Sequence, residues 1–154
     1  MNDLKIVLSQ LKKEKIDNVY LIKGEDQFLQ TFFIEKLYNT IFNKAKGTKE
    51  FLSINEFSGK EIMGRLIGSD LFGTRKLFIL KDPQQIKGKV VNELISYCRK
   101  PLKNHFLILI IDNYMDKGFF SKNLPKHISC INVSTPFQNE LYKWDKFFIN
   151  DNKK

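Results

Sequence analysis

The sequence has few of the residues from which catalytic and metal sites are built. Its 154 residues include only two histidines and two cysteines, Cys98 and Cys130, and the cysteines are far apart and outside any CxxC pair. Structural zinc sites need about four closely spaced sulfur or nitrogen ligands, so the sequence excludes a convincing zinc site. We expect both thiols to be buried and reduced, because free cysteine is among the most often buried residue types.

The sequence also lacks a long apolar run. The longest unbroken one, Phe106–Ile111, is far too short to cross a lipid bilayer. The first residues have leucine and valine at helical spacing among charged residues, without the central apolar block or cleavage site of a signal peptide. We therefore expect no membrane partner and a cytoplasmic location.

Positive charge predominates, with 26 lysine and arginine residues against 17 acidic residues and a net charge of +9. A basic surface is typical of nucleic-acid-binding proteins. Only Arg65, Arg75 and Arg99 are arginine, the residue preferred for bidentate contacts to phosphates and bases, and the lysines are scattered along the chain. A lysine-rich nucleic-acid-binding module is therefore an alternative function.

Strand-like and helix-like segments alternate along the chain. The predicted strands are Val19–Gly24, Phe51–Phe57, Lys76–Lys81, Phe106–Asp112 and Cys130–Val133. Helices are predicted at the amino terminus and over Asp26–Phe42, Gly59–Ser69, Lys89–Arg99 and Lys117–Asn123. The fourth strand is apolar on both faces, as in the centre of a covered parallel sheet. This pattern predicts an α/β fold, an open and mostly parallel five-stranded sheet with helices on both faces.

Residues 1–135 are predicted to form this α/β domain. Beyond Pro136 the spacing of Phe137, Leu141, Trp144 and Phe148 predicts one more helix with an aromatic face. No strand follows that helix to cover the aromatic face. We expect residues 136–154 to be the truncated first helix of a following lid-type domain.

The turn after the first predicted strand lies where nucleotide-binding proteins of this class carry a phosphate loop. That loop needs several glycines, followed by a lysine and a hydroxyl residue. Here Gly24 is followed by Glu25 and Asp26, and the turn Gly24–Leu29 contains no second glycine, no lysine and no hydroxyl residue. Two carboxylates at a helix amino terminus cap the helix and repel an incoming anion. The turn is predicted to be structural and to bind no cofactor.

No catalytic site is predicted elsewhere in the sequence. Asp112 is the one acid at the end of the fourth strand, and Asn113 follows where an ATPase normally has a glutamate. We expect Asp112 to be a turn or capping residue. Neither histidine lies beside a plausible nucleophile in the sequence, and there is no GxSxG motif. The chain is predicted not to be an enzyme.

Three ordered motifs resemble those of the bacterial DNA polymerase III delta subunit, a clamp-loader protein. They are Val19-Tyr-Leu-Ile-Lys-Gly-Glu-Asp-Gln-Phe-Leu29 after a basic helix, Leu71-Phe-Gly-Thr-Arg-Lys-Leu77, and Glu140-Leu-Tyr-Lys-Trp144. The three motifs are distributed over nearly the whole length of the chain. Lys76 departs from the second arginine of the family motif, Asp145 replaces a usually apolar residue, and the lid and collar domains are missing.

The resemblance implies an AAA+-type fold that has lost ATP binding, and a role in DNA replication within the polymerase III holoenzyme. It implies that Leu71 and Phe72 bind a hydrophobic pocket of the sliding clamp, the beta subunit. We expect Ser69, Asp70 and Gly73 to support this pair. It also implies contact with the gamma/tau and delta prime subunits through the missing carboxyl-terminal domains, and with primed DNA indirectly. A degenerate AAA+-like adaptor that docks through Trp144 is a further alternative.

The local sequence supports exposure of Leu71 and Phe72. The predicted helix Gly59–Ser69, with Ile62, Leu66 and Ile67 facing inward, ends before them, and glycines precede and follow the pair. Adjacent residues of a helix diverge by about 100°, so both side chains would not face one core there. On a glycine-flanked turn both can project outward. Core packing is the alternative interpretation of this pair.

Overall fold

The computed structural model describes residues 2–43, 45–68, 73–113 and 115–134. Four of the predicted clamp-binding residues, Ser69, Asp70, Leu71 and Phe72, lie outside these ranges. The predicted start of a second domain, residues 136–154, lies outside them as well, and so does Trp144. Of the predicted clamp-binding segment, Gly73 is described.

The described residues form a parallel sheet with the strand order β1-β6-β2-β5-β4-β3. Its strands are β1 (Asn2–Asp3), β2 (Val19–Lys23), β3 (Thr48–Ser53), β4 (Lys76–Lys81), β5 (His105–Ile111) and β6 (Ser129–Asn132). Every strand pair in this sheet is parallel. The five predicted strands make its body, and the two residues of β1 add a short sixth strand beside β6. The predicted α/β fold is confirmed.

Helices cover both faces of the sheet. They are α1 (Leu4–Lys12), α2 (Gln27–Phe42), α3 (Gly59–Ile67), α4 (Lys89–Arg99) and α5 (Phe119–Asn123). One core lies between the sheet and α1 and α2, and a second core lies between the sheet and α3, α4 and α5. Every residue of β5 is buried, as its apolar sequence predicts for a central strand. No helix within the described ranges is long and apolar enough to span a membrane.

Three predicted details are wrong: the bounds of one strand, the burial of Ile67, and the burial of Cys130. Cys130 is half-buried rather than buried, because it packs at the margin of the second core. Strand β3 is Thr48–Ser53 rather than Phe51–Phe57, because its pairing with β4 begins at Thr48 and the chain turns after Ser53. It is an edge strand with mostly half-exposed side chains, so hydrophobicity marks its start poorly. Ile67, predicted to face the core, is 56% exposed, and Met63 is buried instead. Since Ile62, Met63 and Leu66 form the buried stripe of α3, Ile67 lies beyond its margin.

Candidate functional site

The turn that replaces a phosphate loop is packed closely against the end of β6. Gly24 follows β2 with a φ angle of +140°, and a Cβ atom there would lie 2.4 Å from the carbonyl carbon of Val133 and from the nitrogen of Ser134. Only glycine fits such a backbone and such a close contact. The N–H of Gly24 donates to the carbonyl of Ile111, and the N–H of Asp26 donates to that of Val133. Two backbone donors that a phosphate loop would offer to a ligand are therefore used within the protein.

Side chains complete the internal bonding of this turn. Asp26 is the N-cap of α2, as predicted, and its carboxylate accepts from the N–H of Leu29 at 3.0 Å. The buried Gln30 donates from Nε2 to the carbonyl of Gly24 at 2.7 Å and to Asp112 Oδ1 at 2.9 Å. The other oxygen of Asp112 lies 3.2 Å from Lys81 Nζ.

Asp112 lies in the connection that follows β5, as expected of a turn residue, and its carboxylate also bridges Gln30 and Lys81. Gln30 was not recognised from the sequence, because a polar residue on an otherwise apolar helix face has no distinctive pattern. The bridge formed by Gln30 and Asp112 links α2, the turn after β2 and the end of β5. Within the described ranges, no group of three His, Cys, Asp or Glu side chains is placed to hold a metal ion. Chemically, this edge is a closed network of structural hydrogen bonds.

The segment that carries the predicted clamp-binding pair leaves and re-enters the described structure at the opposite edge of the sheet. Strands β4 and β5 begin side by side, with Lys76 opposite His105, so this is the amino edge. Helix α3 ends at Ile67 and Gly68 has an extended backbone, which confirms that the helix ends before Leu71. Gly73 has a φ angle of +61°, a left-handed conformation that favours glycine. Residues 69–72 thus connect two glycines at the amino edge.

Hydrogen bonds fix the chain on both sides of this segment. Before it, His105 Nδ1 donates to the carbonyl of Leu66 at 2.7 Å, and both residues are buried. After it, Arg75 Nη1 donates to the carbonyl of Ile41 in the last turn of α2 at 2.8 Å. The N–H of Lys76 donates to the carbonyl of Asn104 at 3.0 Å. Residues of α2, α3 and the start of β5 therefore hold both ends of the segment on the sheet.

Apolar side chains are exposed close to these anchors. Ile67 is 56% exposed at the end of α3, and Leu102 is 40% exposed in the connection to β5. The sequence did not reveal these two residues, because each belongs to a stretch that also supplies core residues. Among the described residues, a Cβ atom at Gly73 would meet only the side-chain nitrogen of Asn104, at 3.4 Å, and Gly73 itself is exposed. Two exposed apolar side chains and the two anchored ends of the segment therefore lie at the same edge of the sheet.

Comparison with known proteins gives a structural likeness and no sequence match. The sequence matches no protein-family model and no curated protein. The structure is similar to that of the DNA clamp loader delta protein YqeN of Bacillus subtilis, with a TM-score of 0.74 at 20% identity over 91% of this chain. It is also similar to a DNA polymerase III gamma subunit-related protein of Thermotoga maritima, with a TM-score of 0.56 at 17% identity over 88% of this chain.

The likeness extends over less than half of each of those proteins. The matched part is 45% of the Bacillus protein and 47% of the Thermotoga protein. Identities of 20% and 17% are low enough that the fold, rather than an activity, is what the proteins have in common. The α/β architecture predicted from the strand and helix pattern is also that of the Bacillus protein over the matched part. The chain is a domain with a clamp-loader-like fold.

Proposed function

We propose that this domain is the clamp-docking part of a delta-type clamp-loader subunit. In this function Leu71 and Phe72 enter an apolar pocket of a sliding clamp, and the domain performs no catalysis itself. The observation that carries the proposal is the double anchoring of the segment, by His105 on Leu66 and by Arg75 on Ile41, at an edge with exposed Ile67. The likeness to the Bacillus clamp loader delta protein supports it.

The energetics are adequate for such a contact. Burying one leucine and one phenylalanine stabilises a complex by roughly 1.5–3 kcal/mol each. A small central cluster of this kind commonly carries most of the binding energy of an interface. The anchored ends lower the conformational entropy that a segment of this length loses on binding. The exposed Ile67 adds apolar area beside the pair.

Docking through α3 and the segment 69–72 would also favour an open clamp ring. A bound protein shifts a conformational equilibrium only by the difference between its affinities for the two states. We propose that Leu71 and Phe72 provide the grip, and that α3 fits a clamp surface whose shape is right only in the open ring. No nucleotide is needed in this chain for such a mechanism, which agrees with the closed bonding of the turn at Gly24.

A binding titration against the sliding clamp of the same organism tests the proposal. The variant Leu71→Ala/Phe72→Ala is expected to lower the affinity about 100-fold or more, since loss of about 3 kcal/mol is a factor of roughly 150. Its urea unfolding midpoint is expected to stay within the error of the wild type. The matched control is Met115→Ala/Phe119→Ala, which removes two exposed apolar side chains beyond the opposite edge. It is expected to bind normally.

The contrary result is also well defined. If the Leu71/Phe72 variant unfolds at clearly lower urea while its folded fraction keeps the wild-type affinity, the pair belongs to the core. In that event the docking surface is elsewhere. If the control variant loses affinity as strongly as the test variant, the docking surface includes the other edge and the proposal is wrong in its location.

A further inference from the structure

The charge of the domain is divided between the two edges of its sheet. The described connections that lead into strands β2 to β6 contain seven basic and two acidic residues. The basic ones are Lys13, Lys15, Lys46, Arg75, Lys100, Lys103 and Lys126, and the acidic ones are Glu14 and Asp17. All seven basic side chains are exposed. The sequence alone hid this pattern, because these residues come from five separate segments.

The carboxyl edge has the opposite balance. The described connections that leave strands β2 to β6 contain six acidic residues and two lysines. The acidic ones are Glu25, Asp26, Glu56, Asp82, Asp112 and Asp116, and the lysines are Lys87 and Lys117. The excess positive charge therefore lies at the edge where the segment 69–72 is attached. We call the seven basic residues of the amino edge the basic rim.

Hydrogen bonds join the middle of this rim into one surface. Asn18 donates from Nδ2 to the carbonyls of Lys103 and His105 at 3.1 and 3.0 Å, which joins the connection before β2 to that before β5. The N–H of Lys76 donates to the carbonyl of Asn104, which joins the connection before β5 to that before β4. Adjacent strands are about 4.8 Å apart, so the three connections joined by these bonds lie side by side, and the exposed charges on them contribute to one local potential.

The basic rim is not neutralised by the two acids beside it. Asp17 accepts a hydrogen bond from the hydroxyl of Ser129 at 2.6 Å. The ion pairs of Lys49, Arg65 and Lys81 involve no residue of the rim. A potential of one sign over such a surface attracts molecules of the opposite sign and orients them as they approach.

We propose that the basic rim guides docking to a protein whose apolar pocket is bordered by acidic side chains. This proposal rests on the proposed function, and it identifies the electrostatic character of the surface to which the domain docks. Exposed Ile67 and Leu102 lie at the same edge, and such a mixture of apolar and charged groups is typical of a protein interface with a polar margin.

Charge reversal with a matched control tests the proposal. The rim variant is Lys13→Glu/Lys15→Glu/Lys100→Glu/Lys103→Glu, and the control is Lys87→Glu/Lys89→Glu/Lys117→Glu/Lys122→Glu. Both change the net charge by the same amount, and all eight lysines are exposed. Association and dissociation rates with the cognate sliding clamp are measured at about 0.05 M and about 0.5 M salt. Thermal unfolding shows that both variants are folded.

We expect the rim variant to associate at least about 10-fold more slowly at low salt, and the difference to shrink at high salt. Its dissociation rate is expected to stay within about 3-fold, since steering charges act mainly on association. The control is expected to retain more than about a third of the wild-type association rate. An equal fall in both variants means that only net charge matters, and this overturns the proposal.

The same proteins separate failure of this inference from failure of the proposed function. If the wild type binds the clamp and reversal of the rim leaves the association rate unchanged, the docking function stands and the steering role is wrong. If the wild type does not bind the clamp, both proposals fall. Binding of single-stranded or duplex DNA that is lost only in the rim variant would then assign the rim to nucleic acid.

Discussion

His105 Nδ1 donates to the carbonyl oxygen of Leu66 across 2.7 Å, which joins the last turn of α3 to the first residue of β5. The carbonyl can only accept, so the bond fixes the proton on Nδ1. The ring also packs edge-on against Phe78, with 5.3 Å between ring centroids. A histidine that sequence reasoning considered only as a metal or catalytic candidate is thus an anchor for the segment at the amino edge.

Replacement of this anchor is expected to cost stability. His105→Ala leaves the buried carbonyl of Leu66 without its partner and removes the contact with Phe78, so we expect a loss of about 2–3 kcal/mol in the free energy of unfolding. Urea denaturation measures it. His105→Asn, which retains a donor near the position of Nδ1, is expected to recover part of the loss. His127→Ala is the control, because His127 is exposed and should change stability by less than about 0.5 kcal/mol.

The close contact at Gly24 is expected to make that position intolerant of any side chain. In Gly24→Ala the new Cβ would meet backbone atoms of Val133 and Ser134, which have no flexible end that could move aside. We expect a loss of more than about 3 kcal/mol in the free energy of unfolding, because both the backbone conformation and the contact are unfavourable. Thermal and urea unfolding test this.

A second glycine separates backbone strain from collision. Gly88 has a φ angle of +81°, and a Cβ there would have no atom within 4 Å. Gly88→Ala is therefore expected to cost about 1–3 kcal/mol from strain alone. If Gly24→Ala is no more harmful than Gly88→Ala, the turn is not closed against the end of β6. The N–H groups of this turn would then not be committed within the protein.

Burial of Cys98 is expected to make the domain sensitive to alkali. Burial raises the pKa of the Cys98 thiol from 9.0 to about 12, so the folded thiol stays protonated where the unfolded one ionises. The resulting stabilisation is complete below pH 9 and is lost as the pH rises from 9 towards 12, at up to about 1.4 kcal/mol per pH unit. Burial also raises the pKa of Tyr97 from 10.0 to about 12, which adds a similar loss above pH 10.

Unfolding at pH 8 and pH 10 isolates the cysteine contribution. The difference in stability between the two pH values is expected to be about 1 kcal/mol smaller in Cys98→Ala than in the wild type. Thiol labelling gives an independent comparison within one molecule. Cys130 is half-buried and the charge of Lys23 opposes the effect of burial on its pKa, so Cys130 should react faster than Cys98. Equal labelling rates would show that Cys98 is accessible.

Helices and strands with regularly spaced apolar residues could be predicted from the sequence. The spacing is regular because the apolar residues of each element lie on the face that packs against the core. The wholly apolar β5 and the regular stripe of α4 are examples, and both have the predicted type and close to the predicted bounds. The edge strand β3 was misplaced because half-exposed residues carry little of that pattern. Asp26 could be predicted as an N-cap, because an aspartate before a helix accepts a hydrogen bond from a backbone N–H of the first turn.

The hydrogen bonds and the charge distribution of the amino edge could not be predicted from the sequence, because they join residues that are far apart in the chain. The bonds from His105 to Leu66 and from Arg75 to Ile41 join residues 39 and 34 positions apart, and no local pattern marks either pair. The division of charge between the edges depends on which connections enter strands and which leave them. That assignment needs the strand order and direction, so the scattered lysines looked uniform in the sequence.

Strand β5 is buried on both faces and pairs with β4 over His105–Ile110 and with β2 over Leu107–Ile111. A strand held in this way by hydrogen bonds and packing is rigid. When a rigid protein binds a more flexible protein whose shape does not match, the flexible protein undergoes most of the deformation. In the function proposed above, we therefore expect the domain to keep its shape and the clamp ring to take up the deformation that docking requires.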